Sequence, residues 1–212
     1  PGAGADPAAM TTRAVRDGDD WIINGRKIWI TRAADADFTI LMAVTDTEKK
    51  ARGGISAFLV DREAPGFNVL RRIPMIGGQY TYEVALDDCR VEGWKLLGQE
   101  GAGFMFQMLQ FQEERLYGAA SSLQSLDNLI DQTIEYTRQR HTFGQPLLNN
   151  QVVHFRLAEL RTEVEALRAL TNRAVESYVA GKDVTKLASM AKLKAGRLSR
   201  EVADACLQYW GG

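Results

Sequence analysis

The chain has 212 residues, with 26 Lys and Arg against 27 Asp and Glu, so its formal net charge is −1. A chain of this length can bury one large hydrophobic core or two smaller ones. A net charge near zero argues against a general surface for nucleic acid or for anionic membranes. No apolar run reaches the roughly 20 residues that a membrane span needs. We therefore expect neither nucleic acid nor a membrane as a partner.

Cysteine and histidine are scarce. The two cysteines are Cys89 and Cys206, and the two histidines are His141 and His154. This composition does not favour a disulfide scaffold or a zinc site, so we expect no metal and a reducing, cytoplasmic environment. The chain begins with PGAGADP and stops at QYWGG, which indicates an internal fragment of a longer protein.

Residues 13 to about 98 show the short apolar runs that are typical of β-strands. In DDWIINGRKIWIT, Asn24-Gly25 separates two such runs and predicts a tight hairpin turn. The runs DFTILMAVT, ISAFLVDR and TYEVALDDCRV follow, separated by turn-rich segments. The sequence predicts an antiparallel β barrel or sandwich domain over residues 1–98.

From about residue 103 the apolar pattern becomes helical, with steps of three and four residues. We predict helices over residues 103–140, 151–180 and 183–210, with Asp183 as a candidate N-cap of the third. Long helices with short connections pack as antiparallel neighbours. The predicted fold class is therefore α+β, with a β domain followed by an incomplete, truncated four-helix bundle over residues 99–212.

The stretch KIWIT carries residues that suit a planar heteroaromatic cofactor. Trp29 and Thr31 alternate with Ile28 and Ile30, so an indole and a hydroxyl share one face of the strand. The alternative is an ordinary core tryptophan beside a hydrogen-bonded threonine.

Two further stretches carry clustered cations. In RQRHTFGQP, at 138–146, arginines at a helix end precede a Thr-Phe-Gly break, which suits a phosphate group or C-terminal capping of the helix. The loop TDTEKKARGG carries Lys49, Lys50 and Arg52, which suits a phosphorylated substrate or a solvated turn.

Two adjacent glutamates precede an arginine in FQEERLYG. Successive helix positions are about 100° apart, so Glu113 and Glu114 cannot point the same way. A carboxylate that is turned inward is costly unless it is paired or used. We expect one of the two to face water and the other to be a candidate catalytic base.

Taken in order, PGAGAD, WIINGRKIWIT, GISAFLVDREAPGF, ERLYGAA, RQRHTFGQPL and QYWGG resemble the acyl-CoA dehydrogenase family over essentially the whole chain. The resemblance implies that family's middle β domain, which binds FAD and acyl-CoA, and most of its C-terminal helical domain, without the N-terminal helical domain. It implies FAD-dependent α,β-dehydrogenation of an acyl-CoA thioester to the trans-2-enoyl-CoA. In that reaction a glutamate takes the α-proton and a hydride passes to flavin N5.

The resemblance also assigns flavin-binding positions. One segment matches the strand that lies against the flavin ring, and two others match segments that reach the FAD of a neighbouring subunit. These positions are Trp29, Ile30, Thr31, Arg140, Thr142, Phe143, Gln151, Gln208, Gly211 and Gly212. Arg52 matches a loop that touches CoA in some relatives, and we assign it to the substrate.

The run ERL matches the subgroup of isovaleryl-CoA and long-chain acyl-CoA dehydrogenases, whose base lies on the first helix of the C-terminal domain. The resemblance thus implies Glu114 as the base, with Arg115 beside the substrate and Glu113 solvated. Most subfamilies place the base beyond Gly212, which is the alternative. Gly118 lies four residues after Glu114 on the same helix face, and we expect it to make room for a medium, long or branched acyl chain.

The resemblance implies acyl-CoA as the substrate and an electron-transfer flavoprotein as the acceptor. It also implies a homodimer or homotetramer, in the mitochondrial matrix if the organism is eukaryotic. Three alternatives stay open: an acyl-CoA oxidase, a flavin monooxygenase of the same fold, and a non-catalytic helical interaction module. One departure from the family is Ala5, which stands where a serine is usual.

Overall fold

A computed structural model describes residues 2–211 of the chain. The chain forms two compact units, Pro1–Met108 and Leu109–Gly212. The first contains a β-sheet and the start of a long helix, and the second is helical, which confirms the predicted α+β class. In the described part of the chain, no helix is both long enough and apolar enough to cross a bilayer.

The first unit contains one seven-stranded sheet. Its strands are β1 (Arg13–Asp17), β2 (Asp20–Thr31), β3 (Phe38–Val44), β4 (Ile55–Asp61), β5 (Phe67–Pro74), β6 (Tyr80–Val91) and β7 (Leu96–Leu97). Their order across the sheet is β5-β6-β2-β1-β3-β4-β7. All neighbours are antiparallel except β1 and β3, which are parallel. Within residues 2–211 the edge strands β5 and β7 do not pair, so the sheet is open where the sequence predicted a barrel or sandwich.

The sheet curls around its own core. Trp21 on β2 and Phe58 on β4 are almost completely buried, and their rings meet edge to face with centroids 5.2 Å apart. Two strands, β1 and β3, separate β2 from β4 in the sheet. A direct contact between these rings therefore requires strong curvature, because adjacent strands lie about 4.8 Å apart.

The hairpin predicted at Asn24-Gly25 is wrong. The chain turns at Gly18-Asp19, between β1 and β2, and Asn24-Gly25 lies inside β2. The register between β2 and β6 shifts at this point, which marks a β-bulge. A Cβ on Gly25 would stand 2.6 Å from the Thr12 hydroxyl oxygen. Glycine is required at position 25 because Thr12 approaches its backbone closely, and not because the chain turns there.

Replacing Gly25 by Ala should destabilise the first unit far more than replacing Gly18. Both glycines have positive φ, 153° and 63°, but only Gly25 has a neighbour that a Cβ would meet. We expect about 1 kcal/mol for Gly18→Ala from the left-handed backbone alone, and roughly 2–3 kcal/mol more for Gly25→Ala from overpacking. Urea unfolding of both variants measures the difference, and equal losses would contradict the proposed contact.

The second unit is built on three long helices, α1 (Gly103–Gln139), α2 (Gln151–Val179) and α3 (Thr185–Trp210). The first turns of α1, up to Met108, belong to the first unit. These bounds confirm the three predicted helices. A short hairpin, β8 (His141–Thr142) and β9 (Gln145–Pro146), connects α1 to α2. The core combines buried residues of all three helices, among them Ile130, Leu160 and Val202.

Asp183 acts at the start of α3 much as predicted. Its carboxylate accepts hydrogen bonds from the backbone N–H of Thr185 at 3.2 Å and from the Thr185 hydroxyl at 2.7 Å. These hydrogen bonds lower the pKa of the Asp183 carboxyl. The residue at the N-cap position itself is Val184. The side chain that bonds to the start of the helix is therefore that of Asp183, one residue before the N-cap position.

Candidate functional site

The end of β2 borders a cleft in the first unit. The cleft has a volume of about 440 Å³. Its lining residues are Ala3, Gly4, Met10, Thr11, Thr12, Arg26, Lys27, Ile28 and Trp29. The lining thus combines small residues, two hydroxyls, two cations and one large aromatic ring.

A second bulge in β2 turns Trp29 outward. The register between β2 and β6 shifts between Lys27 and Ile30, and Trp29 takes a positive φ of 65°. Positive φ is a genuine outlier for a bulky residue, and such strain persists only where the surrounding structure imposes it. As a result the indole is 58% exposed, Thr31 is also exposed, and Ile30 is half-buried. Exposed Trp29 and Thr31 thus alternate with half-buried Ile28 and Ile30, in agreement with the alternation predicted from KIWIT.

The cleft fits a flat aromatic ligand. The exposed face of Trp29 is a planar apolar surface, and the hydroxyl-bearing residues Thr11 and Thr12 line the same space. A Cβ placed on Gly4 would meet no heavy atom within 4 Å, so the lining is open there. These residues can hold a ring that needs both stacking and hydrogen bonds.

Lys27 is a candidate residue that the sequence analysis missed. Its ammonium group donates a hydrogen bond of 2.8 Å to the Met42 carbonyl, and none of the ion pairs among residues 2–211 involves it. Burial lowers the pKa of Lys27 to about 8. The side chain also lines a second cavity of about 210 Å³, together with Gln107, whose Oε1 is buried without a hydrogen-bond partner in the described chain. The available signal was a lysine directly before the apolar run Ile28-Trp29-Ile30.

The burial of Lys27 should make stability depend on pH. Its pKa is about 8 in the folded chain against an ordinary value of 10.5. Between these values the unfolded chain holds a proton that the folded chain has released, so the free energy of unfolding rises with pH. The slope from this group is at most about 1.4 kcal/mol per pH unit. Below pH 8 the contribution is constant.

Urea unfolding between pH 7 and pH 10 tests this slope by comparison of the wild type with Lys27→Met and Lys27→Arg. Both variants should lose the rise between pH 8 and pH 10, because neither side chain releases a proton in this range. A rise that persists unchanged in both variants would show that other groups cause it.

The two adjacent glutamates of α1 differ in their partners. Glu113 accepts a hydrogen bond from the Tyr178 hydroxyl of α2, which raises the pKa of that hydroxyl. Glu114 accepts one hydrogen bond, of 3.2 Å, from the side-chain amide of Gln110 on its own helix. Both glutamates are exposed. They point apart as helical geometry requires, but Glu113 is tied to α2, whereas we expected it to be solvated.

Two other predicted substrate positions lie near Glu114 on α1. Arg115 is half-buried, with its guanidinium carbon 5.6 Å from the centre of the Phe111 ring. The space beside Gly118 is occupied by the aliphatic part of Lys192 on α3. A Cβ on Gly118 would stand 2.8 Å from Lys192 Cε and 3.1 Å from Cδ. The space that was expected for an acyl chain holds a flexible lysine side chain.

The predicted segments 140–151 and 208–211 meet at one end of the helical unit. The rings of Tyr136 and Trp210 stack with centroids 4.2 Å apart, and the Trp210 indole N–H donates to the Thr133 hydroxyl at 3.0 Å. The Tyr209 hydroxyl donates to the Val152 carbonyl at 3.3 Å. These contacts fix the C-terminal end of α3 against the end of α1 and the start of α2.

Phe143 stands at the tip of the β8–β9 hairpin. Phe143 and Gly144 both have positive φ, 53° and 83°, which closes the two-residue turn. The Phe143 ring is fully exposed. A large apolar side chain without a neighbour in its own unit is typical of a contact with a ligand or with another chain.

The other predicted positions at this end are also accessible. Arg140, Gln151 and Gln208 are exposed and Thr142 is half-buried. Gly211 ends α3 in the left-handed conformation with φ of 95°, as helix-terminating glycines commonly do. Gly212 lies outside the described residues.

Arg52 is exposed on the loop between β3 and β4. Asp46 holds the start of this loop by accepting hydrogen bonds from two backbone N–H groups. The neighbouring cation Lys50 lines a cavity of about 310 Å³ together with Thr11 and Arg13. Of the cations on this loop, Lys50 is therefore the one that faces a cavity.

Neither cysteine is placed for chemistry. Cys89 and Cys206 are free and buried, and burial raises the pKa of Cys89 to about 11. A thiol with a raised pKa is a poor nucleophile at neutral pH. Among residues 2–211 no group of three or more His, Cys, Asp or Glu side chains is arranged to hold a metal ion.

Comparison with known proteins identifies the class to which this fold and cleft belong. A family profile described as "Acyl-CoA dehydrogenase, middle domain" matches residues 1–89, and one described as "Acyl-CoA dehydrogenase, C-terminal domain" matches residues 101–212. The chain therefore belongs to the acyl-CoA dehydrogenase family. This confirms the resemblance read from the six motifs.

Individual relatives agree with this assignment. The chain is 38% identical to cyclohexane-1-carbonyl-CoA dehydrogenase of Geobacter metallireducens, over 100% of this chain and 56% of that protein. It is 36% identical to the mitochondrial long-chain specific acyl-CoA dehydrogenase of Sus scrofa, over 100% of this chain and 50% of that protein. The acyl-CoA dehydrogenase structure from Geobacillus kaustophilus superposes with a TM-score of 0.96 at 38% identity, covering 100% of this chain and 57% of that one. The chain thus spans about half the length of these relatives.

Proposed function

We propose that the chain supplies the FAD-binding and acyl-CoA-binding parts of an acyl-CoA dehydrogenase, with residues 1–98 as the middle domain and 99–212 as the helical domain. When bound, FAD supplies the acceptor for the hydride that leaves the β-carbon. Glu114 removes the α-proton. The observation that carries this proposal is that the Glu114 carboxylate is bonded to Gln110 of its own helix, whereas its neighbour Glu113 is bound to Tyr178 of α2.

The role of Glu114 follows from the chemistry of a thioester. The thioester carbonyl makes the α-C–H bond acidic enough for a carboxylate to remove the proton, provided that the carboxylate has an unoccupied oxygen within reach. Among residues 2–211, only the Gln110 amide, on a flexible side chain, bonds to Glu114. The base can therefore turn to a substrate without breaking any contact between helices.

The residues around the cleft fit FAD. Trp29 offers a flat face for the flavin ring, and Thr31 places an exposed hydroxyl near the same end of β2. We assign Ile30 to the same contact surface. At the end of the helical unit, seven residues are proposed to reach the FAD of a neighbouring subunit: the exposed Arg140, Phe143, Gln151, Gln208 and Gly211, the half-buried Thr142, and Gly212, which lies outside the described residues.

We propose a medium, long or branched acyl-CoA as the substrate. The relatives named for cyclohexane-1-carbonyl-CoA and for long-chain acyl-CoA support this range. Gly118 lies one helical turn from Glu114, where Lys192 has a flexible side chain that can move away. Arg115 and Arg52 are the cations proposed to face the substrate and its CoA portion.

The proposed assembly is a homodimer or homotetramer that passes electrons to an electron-transfer flavoprotein, in the cytoplasm or, in a eukaryote, in the mitochondrial matrix. Exposed apolar side chains concentrate near the start of α2, where Val152 is 74% and Phe155 58% exposed. Together with Phe143 they form a surface that another subunit is proposed to cover.

Glu114→Gln should abolish the reduction of flavin by acyl-CoA, because an amide cannot accept the α-proton. We expect a loss of at least about 1,000-fold in the rate of flavin bleaching near 450 nm (about the usual flavin maximum), within the range that general bases and positioned groups supply. The measurement uses the full natural protein that contains these residues, with a panel of acyl-CoA thioesters of different length and branching.

Glu113→Gln is the matched control, since it makes the same chemical change one residue away. We expect it to retain flavin reduction within about threefold, because Glu113 holds α2 and does not face the substrate. Near wild-type reduction by Glu114→Gln would refute the base assignment. Hydrogen peroxide formed with acyl-CoA would indicate an oxidase, and a colourless protein unaffected by every acyl-CoA would indicate a non-catalytic module.

Phe143→Ser should weaken both FAD retention and subunit assembly in the full natural protein. The ring is fully exposed in the described part of the chain, so its loss should leave the folding of the helical unit unchanged while the partner contact disappears. Size-exclusion chromatography and the FAD-to-protein absorbance ratio measure the two effects, and circular dichroism controls for folding. Unchanged assembly and unchanged FAD content would contradict the proposed contact.

A further inference from the structure

Lys27 is a half-buried cation for which the proposed reaction has no assigned use. Its side chain lines the same cleft as Trp29 and stands two residues before it on β2. Its ammonium group donates a hydrogen bond to a neutral backbone carbonyl, that of Met42 on β3. In the part of the chain that the structure describes, no carboxylate forms an ion pair with it. Burying an unpaired charge is costly, so its place beside an open cleft needs an explanation.

The surroundings of Lys27 strengthen any charge effect. The smaller cavity on its other side is lined mainly by apolar residues, including Leu41, Phe67 and Val84. An electrostatic interaction in such a place is several times stronger than in water. The other charged residue that lines either cavity is Arg26, whose side chain is 61% exposed and lies 4.0 Å from the carboxylate of Glu83.

We propose that Lys27 is the positive charge that the cleft directs at the flavin, and that its ammonium group stabilises the reduced cofactor. The inference rests on the proposed binding of FAD to this cleft. Two-electron reduction adds negative charge to the flavin ring, and a nearby fixed cation favours that state. A protein tunes the electronics of a bound cofactor through such charges. Lys27 is therefore a residue that sets the reduction potential, distinct from the base Glu114.

The burial of Lys27 gives the proposal a reciprocal consequence. Because burial lowers the pKa of Lys27 to about 8, the ammonium form is easily lost while nothing negative faces it. Linkage requires that if the charged lysine favours reduced flavin, reduced flavin must favour the charged lysine by the same factor. Reduction should therefore increase the proton affinity of Lys27.

The first test is the reduction potential of the bound flavin in the full natural protein, measured at pH 7 by dithionite titration against a reference dye. Lys27→Met should lower the equilibrium constant for flavin reduction at least tenfold, which is about 30 mV for a two-electron couple. Lys27→Arg, which keeps the charge, should retain most of the wild-type potential. Arg71→Met is the matched control, and it should change the potential little because Arg71 lines neither cavity, pairs with Glu83 and is exposed to screening by salt.

The second test needs no substitution that changes the charge of the cleft. In protein labelled with 13C at lysine, the Cε signal of Lys27, assigned by its loss in Lys27→Arg, reports its protonation. The proton affinity of Lys27 should rise at least tenfold between the oxidised and the reduced holoprotein. This measurement decides the question if Lys27→Met fails to fold or to retain FAD.

The outcomes separate this inference from the proposed function. Suppose that the wild-type protein binds FAD and is reduced by acyl-CoA, but that Lys27→Met has the wild-type potential and Lys27 has the same proton affinity in both redox states. The lysine is then only a structural link between β2 and β3, and the inference is wrong. If the wild-type protein binds no FAD, the proposed function fails and the inference fails with it.

Discussion

The close approach of Thr12 to Gly25 is the constraint on which the cleft depends. No side chain larger than hydrogen fits at Gly25, because a Cβ there would stand 2.6 Å from the Thr12 hydroxyl oxygen. Thr12 in turn accepts a backbone hydrogen bond of 2.8 Å from Val44 at the end of β3. Thr12 thus lies between β2 and β3, one residue before β1 begins. The far half of β2 is left without β1 as a neighbour, and there Lys27 and Trp29 line the cleft.

Two residues that line the cleft are each in an energetically unfavourable state. Trp29 has a left-handed backbone that a bulky residue rarely adopts, and the half-buried cation Lys27 has no ion-pair partner among residues 2–211. The surrounding sheet stabilises both residues: the bulge opposite β6 accommodates the backbone of Trp29, and the Met42 carbonyl accepts a hydrogen bond from Lys27. Proteins break such rules mainly where function requires it. The coincidence of the two at one cleft is therefore stronger support for a binding site than either alone.

The sequence predicted what depends on local periodicity and missed what depends on distant contacts. The three helices followed from apolar spacing, because each buries one face in a shared core. The strand β5 gave little signal, because most of its residues are exposed at the edge of the sheet. The hairpin at Asn24-Gly25 was predicted from a turn signal, but the glycine serves a contact with Thr12 that no local pattern reveals. Lys27 was missed because its surroundings come from β3, β6 and α1.

The glutamate pair shows how a distant residue turns a local alternative into a specific assignment. Helical geometry requires only that Glu113 and Glu114 point apart. Tyr178, 65 residues away on α2, provides the difference by donating its hydroxyl to Glu113. If the Glu113 side chain turned away from Tyr178, it would lose this hydrogen bond, at about 1.5–3 kcal/mol for a hydrogen bond to a charged group. Glu114 would lose only the hydrogen bond from the Gln110 amide of its own helix, and this difference supports our proposal that Glu114 is the base.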